Sequence, residues 1–570
     1  MSRLRNRSRH QVLVIGTGIS GLTVAFSLAR AGTKVLLVTK ASDPADCNTY
    51  WAQGGVIYRG ETDSTRKLVD DILDAGAGIC NETAVRFLAS EGPDVVKRIL
   101  IDEIGVPFAH NEDGELDLTR EGAHSVPRII HSADATGRAI EIAMLNRIKS
   151  EKNIRLVTDF TAVDLLTTHH HPRDVQIRYR LENECAGAYL LDNRTHEVYT
   201  VFADYTVLAT GGLGRIYLHT TNTRSSVGDG VVMAYRAGAR IMNSEYVQFH
   251  PTALAIKRAN HFLISEALRG EGARLMNQRG EYFMDRYSPL KDLAPRDIVT
   301  RAIVEEMTAH RDDFVYLDLA KFYNGDEPIA TRFPTISQEC SALGIDIENE
   351  PIPVVPAAHY FCGGVLVDLF GQTTLPRLYS VGETSCSGLH GANRLASTSL
   401  LEGLTWGFYA AQSIRSRLQQ ATASDGKPHS KAGGKLETRA SAAVSRAKSS
   451  RPPGIGELER AIYRSIPDWV QPEGESLEDP ALILQDWTTL QNTMWNYVGI
   501  VRSGERLKRA MADIQHMGDR LAKFYRESPI TREILELFHG QRAAAIVASA
   551  AIRNPTSRGA HYRKDSREED

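Results

Sequence analysis

The sequence predicts an α/β fold in which a Rossmann-like domain is interrupted by an inserted α+β unit and followed by a helical C-terminal domain. Three observations carry this expectation. Gln11 to Lys40 reads as an apolar strand, a glycine-rich turn, an apolar-periodic helix and a second strand, which is one βαβ unit. Two further stretches combine a strand with glycines: "DYTVLATGGLG" from Asp204, and "RLYSVGETSCSGLHGANRLASTSLLEGLTWGFYAAQSI" from Arg377. They can share a site with the first unit only if the chain between them, roughly 245 to 355, is an insertion. Near the C-terminus, "LQNTMWNYVGIVRSGERLKRAMADIQHMGDRLAKF" and "TREILELFHGQRAAAIVASAAIRN" carry helical apolar spacing.

Taken in order, residues 1–10 are expected to be a disordered basic N-terminus, 11–246 and 355–418 a discontinuous nucleotide-binding domain, and 247–354 a cap. Residues 419–455, rich in Ala, Ser, Gly and Lys, read as a solvated linker, and 456–570 as the helical domain. The opening "MSRLRNRSRH" also fits the composition of a short transit peptide, but ten residues make a poor amphipathic helix.

Composition narrows the function. With 42% hydrophobic residues, 24% charged residues and a net charge of −3, the 570-residue chain offers no global electrostatic case for nucleic acid or an anionic membrane. No apolar run reaches the length of a membrane span. The six cysteines, without a CxxC, suit reduced thiols in the cytoplasm, with neither zinc nor an iron-sulfur cluster implied. Three consecutive histidines, His169 to His171, cannot point one way and read as a loop rather than a metal site.

Gly16, Gly18 and Gly21 form a GxGxxG between strand and helix. The first glycine allows the tight turn, the second the approach of a pyrophosphate, and the third close packing. The second strand ends in Thr39-Lys40, where an acid would usually hold the ribose, so the fingerprint alone does not separate NAD from FAD. "AQGG", Ala52 to Gly55, favours FAD, because a flat isoalloxazine needs backbone along its edge and a nicotinamide site does not call for this second small-residue loop.

The ordered set "GTGISG", "AQGG", "LTREGAHS", "ATGGLG", "QFHPTAL", "SEALRGEGA", "LAPRDIV", "PAAHYFCGGV" and "GLHGANRLASTSLLE" resembles the succinate dehydrogenase and fumarate reductase flavoprotein family. The likeness runs from about residue 11 to 415 and resumes at "MWNYVGIVRS". It implies an FAD domain, a capping domain and a C-terminal helical domain. It also implies cofactor contacts from Gly16, Gly18, Ser20, Gly21, Lys40, Asn48, Ala52, Gln53, Gly54, Gly55, Asp229, Glu383, Ser399 and Leu400, with Glu383 as the ribose acid that the second strand lacks. Around the flavin the resemblance places His250, Ser265, Glu266, Arg296, His359 and Arg394, with Gln248 as a further substrate contact. Two arginines and two histidines suit a dicarboxylate, since arginine's planar fork matches a carboxylate bidentately.

Glu121 in "LTREGAHS" is of use in such a pocket only if the ligand also bears a cation, as aspartate does. Members of the family that resemble this chain most oxidise L-aspartate to iminoaspartate with O2 or fumarate as acceptor, making H2O2 in the first case and supplying quinolinate and NAD synthesis. That function is the expectation here, with Arg296 as acid/base candidate and a functional coupling to quinolinate synthase. Soluble succinate or fumarate turnover, oxidation of an aspartate analogue, and a flavin-binding scaffold without turnover are the alternatives. Where membrane-complex relatives resemble "HTxAAxGG", whose histidine bonds the flavin covalently, this chain has Asn48, so FAD is expected to be non-covalent. The sequence leaves monomer and homodimer open.

Overall fold

The computed structural model describes residues 4–256, 262–425, 455–472 and 479–566. Its central element is a sheet in the order Ile154–Val157, Val35–Val38, Arg7–Ile15, Val198–Leu208, Cys185–Asp192, Phe160–Thr167, with Leu378–Ser380 paired to the far end of Val198–Leu208. The first strand is parallel to both its neighbours, and Leu378–Ser380 is parallel too, so the carboxyl ends of these strands meet at one edge. Such edges are where α/β sheets bind ligands. The near-continuous apolar run Val12–Ile15 is buried because helices cover the sheet, chiefly Ile19–Arg30 and the long helix Thr398–Asp425 packed against it. Close helix contact depends on Gly407, whose Cβ would lie 2.8 Å from the Ser20 carbonyl oxygen.

The inserted segment forms an antiparallel sheet ordered Val247–Leu254, Ile352–Phe361, Val315–Asp318, Arg274–Met276, with the helix Arg296–His310 packed on its first strand. Beyond it, helices Pro480–Val498, Gly504–Glu527 and Arg532–Arg553 form a bundle whose core includes Leu213, Val231, Phe249 and Phe361. Among the described residues no helix is long and apolar enough to cross a membrane.

Three expectations about boundaries are corrected. The basic N-terminus is not a disordered tail over its described part: the first strand begins at Arg7, Leu4 is buried, and Arg7 pairs with Asp468 while lying over the rings of Phe202 and Tyr463. Alternating basic residues on an edge-facing strand end are satisfied by aromatic and acidic partners that are distant in sequence. The cap's return point at 354/355 falls inside the single strand Ile352–Phe361, since a continuous hydrogen-bonded ladder has no break there. The linker expected from 419 begins later, because the helix from Thr398 continues to Asp425; the remainder of that segment, 426–454, lies outside the described residues.

Candidate active site

The carboxyl edge of the central sheet, the cap and the start of the helix Thr398–Asp425 enclose one cleft of about 1690 Å³ including its open mouth. Every sequence-predicted site residue lines it except Gly21 and Gln248. Gly21 packs instead: a Cβ there would meet the Gly16 carbonyl oxygen at 2.1 Å, which explains the third glycine of the fingerprint without any ligand. Gly16 has φ +117° and a Cβ would sit 2.0 Å from the Ala209 carbonyl oxygen. The helix from Ile19 begins at Gly18, which offers no side-chain cap; Ile19 N–H donates to Thr49 Oγ1 at 3.0 Å, and this helix start, with its positive end potential, lines the cleft. Gln53 is buried with neither end of its amide hydrogen-bonded, which leaves a donor and an acceptor for a bound group. These features fit a dinucleotide.

Two readings of this wall change. The acid beside Lys40 is Asp229, 2.8 Å from its Nζ, and Glu536 of the C-terminal helix Arg532–Arg553 stands 3.6 Å away. Glu383, expected to be the ribose acid, lies elsewhere: its Oε1 accepts from the Phe361 backbone N–H at 3.0 Å and its Oε2 from Asn48 Nδ2 at 3.3 Å. Burial pushes Glu383 up to about 7, against the pull of those two donors. The glycines of "AQGG" line the cleft and also answer to close protein packing. A Cβ on Gly55 would lie 2.3 Å from the Ile130 carbonyl oxygen, and one on Gly54 2.7 Å from Glu121 Oε1. Asn48 is bonded at both ends of its amide, its Oδ1 also accepting from Thr223 N–H at 3.0 Å and Ser226 Oγ at 3.2 Å.

The opposite wall gathers charged groups from three distant segments. Arg296 starts its helix and donates from Nε to Glu266 Oε2 at 2.6 Å; the buried Arg269 guanidinium approaches Glu266 Oε1 at 3.3 Å. Burial alone would raise Glu266, but Arg296 and Arg269 hold it down at about 2, so it is a carboxylate that neutralises arginine charge rather than a free substrate ligand. Arg394 donates to Ser399 Oγ at 2.6 Å and lies over the Tyr360 ring at 4.6 Å. Gln248 stands behind the wall and is a positioning residue: its Oε1 accepts from Arg394 Nε at 3.3 Å and Arg296 Nη1 at 3.4 Å, tying the two arginines together.

His250 and His359, with ring centroids 5.2 Å apart, are both held well below the usual histidine range, first by burial and then by the arginines, so both are neutral near pH 7. The Thr252 backbone N–H donates to His250 Nδ1 at 3.2 Å, which places the ring proton of the neutral form on Nε2 as a donor. The cage is therefore cationic through its arginines alone.

On the loop beside this wall, Glu121 accepts from Ser397 Oγ at 2.7 Å and from Gly55 N–H at 3.3 Å, and Glu266 Oε1 packs against Gly122, where a Cβ would come within 2.3 Å. Sequence reasoning missed Arg269, Ser397, Tyr360 and Glu536. The first three sit inside the quoted motifs, one to three residues from a chosen one; Glu536, in the C-terminal helix, carries no local signal.

Residues 11–400 match the family model described as an FAD binding domain, and residues 487–570 the one described as the fumarate reductase flavoprotein C-terminus. L-aspartate oxidase 1 of Ralstonia nicotianae is 40% identical over 557 residues, spanning 97% of this chain and 95% of its own length. The chain belongs to the L-aspartate oxidases of the fumarate reductase flavoprotein family. An L-aspartate oxidase of Pseudomonas aeruginosa is also 40% identical, over 98% of this chain and 95% of its own length. Among solved structures, an E. coli quinol fumarate reductase superimposes with a TM-score of 0.81 at 26% identity, covering 99% of this chain and 93% of that one. FAD binding by this chain follows from the family, and the fold agrees with the α/β, cap and helical-domain expectation.

Proposed function

We propose that the protein oxidises L-aspartate to iminoaspartate in this cleft, passing electrons to O2, with release of H2O2, or to fumarate, as the first step towards quinolinate and NAD. One observation carries the choice of substrate: Glu121 lines the same cleft as Arg296 and Arg394, a combination that complements a ligand bearing two carboxylates and one ammonium. Arg296 and Arg394 take the carboxylates, with the His250 Nε2–H and the Ser265 hydroxyl as neutral donors, and Glu121 takes the ammonium. When bound, FAD supplies the two-electron oxidation of the substrate's carbon–nitrogen bond. Arg296 orients the substrate and balances its charge in that direction, and gives a proton to carbon when fumarate is reduced. Gln248 and Glu266 hold it in place for both.

Gly16, Gly18, Ser20 and the helix start hold the pyrophosphate, Lys40 with Asp229 the adenosine end, and Gln53, Gly54, Gly55, Asn48 and Glu383 the flavin side. Asn48 carries no nucleophile and its amide is satisfied on both ends, so the cofactor is held without a covalent link. The protein acts in the cytoplasm as a monomer or homodimer, and quinolinate synthase consumes its product.

Anaerobic mixing of the holoenzyme with aspartate tests the reading. Bleaching of the flavin absorbance by aspartate, with none by succinate at the same concentration, is expected. Bleaching by succinate alone would make the protein a succinate oxidoreductase, and bleaching by neither a flavin-binding scaffold.

A further inference from the structure

Ser397 has φ +56°, the left-handed region that disfavours a residue with a Cβ and is ordinarily given to glycine. It is buried, it lines the cleft, and its hydroxyl makes the 2.7 Å bond to Glu121 Oε2. The loop carrying Glu121 has its own left-handed residue, Ala123, at φ +65°. Backbone strain of this kind persists where neighbouring structure over-determines it. Here the neighbour is His124. Its Nε2 donates to the carbonyl of Ala396, the residue before Ser397, at 3.1 Å, and its Nδ1 accepts from Arg128 Nη1 at 3.2 Å. Arg128 has no exposed surface and is clamped by Asp63 at 2.9 Å and Asp71 at 2.5 Å. A rigid strut therefore runs from two aspartates through Arg128 and His124 into the turn that presents Ser397.

We propose that Ser397 is a specificity-determining residue: locked by the His124–Arg128 strut, it fixes the Glu121 carboxylate so that its remaining lone pairs meet the substrate ammonium. The proposal rests on the reading of Glu121 as the ammonium partner and names what makes that partner selective. Glu121 is pinned by one bond to each oxygen, from Ser397 and from the Gly55 amide, and is backed by the bare Gly54. A carboxylate oxygen accepts two hydrogen bonds, so each keeps one site for a three-donor ammonium. Fumarate, which bears no ammonium, makes no use of those sites.

The test compares kcat/KM for aspartate oxidation with kcat/KM for fumarate reduction in the holoenzyme variants Ser397→Gly, Ser397→Ala, Ser397→Thr and Glu121→Gln, with Tm alongside. Ser397→Gly removes the hydroxyl while relieving the backbone. It should lower aspartate kcat/KM about tenfold, the usual scale for a hydrogen bond to a charged group, with less than a threefold fall for fumarate and no fall in Tm. Ser397→Ala should lose the same selectivity, and Ser397→Thr, which keeps the hydroxyl, should retain it. A fall in both reactions together after Ser397→Gly, or no fall in either, overturns the proposal. If Glu121→Gln is selective while Ser397→Gly is not, the strut alone fails. If Glu121→Gln depresses both reactions equally, the ammonium reading itself is overturned, and Ser397's role with it.

Discussion

Glu266 and Glu383 are both mostly buried in one cleft, yet Glu266 is held down at about 2 and Glu383 is pushed up to about 7. Burial raises both. The difference lies in their partners: Glu266 meets two guanidinium groups, whereas Glu383 meets one amide side chain and one backbone N–H. The substrate wall is thus built from paired full charges, whereas the flavin end of the cofactor wall is built from dipoles and glycines, with the Lys40–Asp229 ion pair at the far end of that wall. A dianionic substrate that comes and goes calls for formal charge held in place by counter-charge. A large cofactor can instead be gripped by many neutral contacts spread along its length.

If the cofactor wall works through non-covalent contacts alone, denaturing the holoenzyme should release all its flavin to the filtrate. Flavin remaining with the precipitated chain would break the contrast, because it would mean a covalent bond. Next in size, Arg296→Leu removes the charge that both reactions share and leaves Glu266 with Arg269 alone. Aspartate oxidation and fumarate reduction should both fall by ~10² to 10³-fold, the cost of breaking a buried charged pair. Retained fumarate turnover would place its proton donor elsewhere.

The smallest effect concerns pH. An acid whose folded value is raised contributes stability that is present below its unfolded value and lost as pH rises through the folded one. For Glu383 that window runs from 4.5 to about 7. Glu266, lowered to about 2, contributes stability that is constant through the same window and is lost only in stronger acid. In protein stripped of FAD, Glu383→Gln should therefore flatten the fall in the unfolding free energy from urea titrations between pH 4.5 and 7, by at most roughly 3 kcal/mol. Glu266→Gln should shift that curve without changing its slope.

Much of this was legible in the chain. The βαβ unit, the insertion and the helical C-terminus show in periodicity and glycine placement, because local backbone preferences write them. Residue type marked most of the cleft in advance, since glycines, arginines and histidines at those spacings have few other uses together.

The ordered motifs of the sequence determined the family, the cofactor and the substrate class. Tertiary structure alone decided how the residues are partnered: that Gly54 and Gly55 make room for Glu121 and for the Ile130 backbone, that Glu383 bonds Asn48 rather than standing beside Lys40, and that Gln248 joins two arginines from behind. Those contacts link segments up to several hundred residues apart. Hydrogen bonds and charge interactions act over a few ångströms of space, and spacing along the chain does not encode that distance.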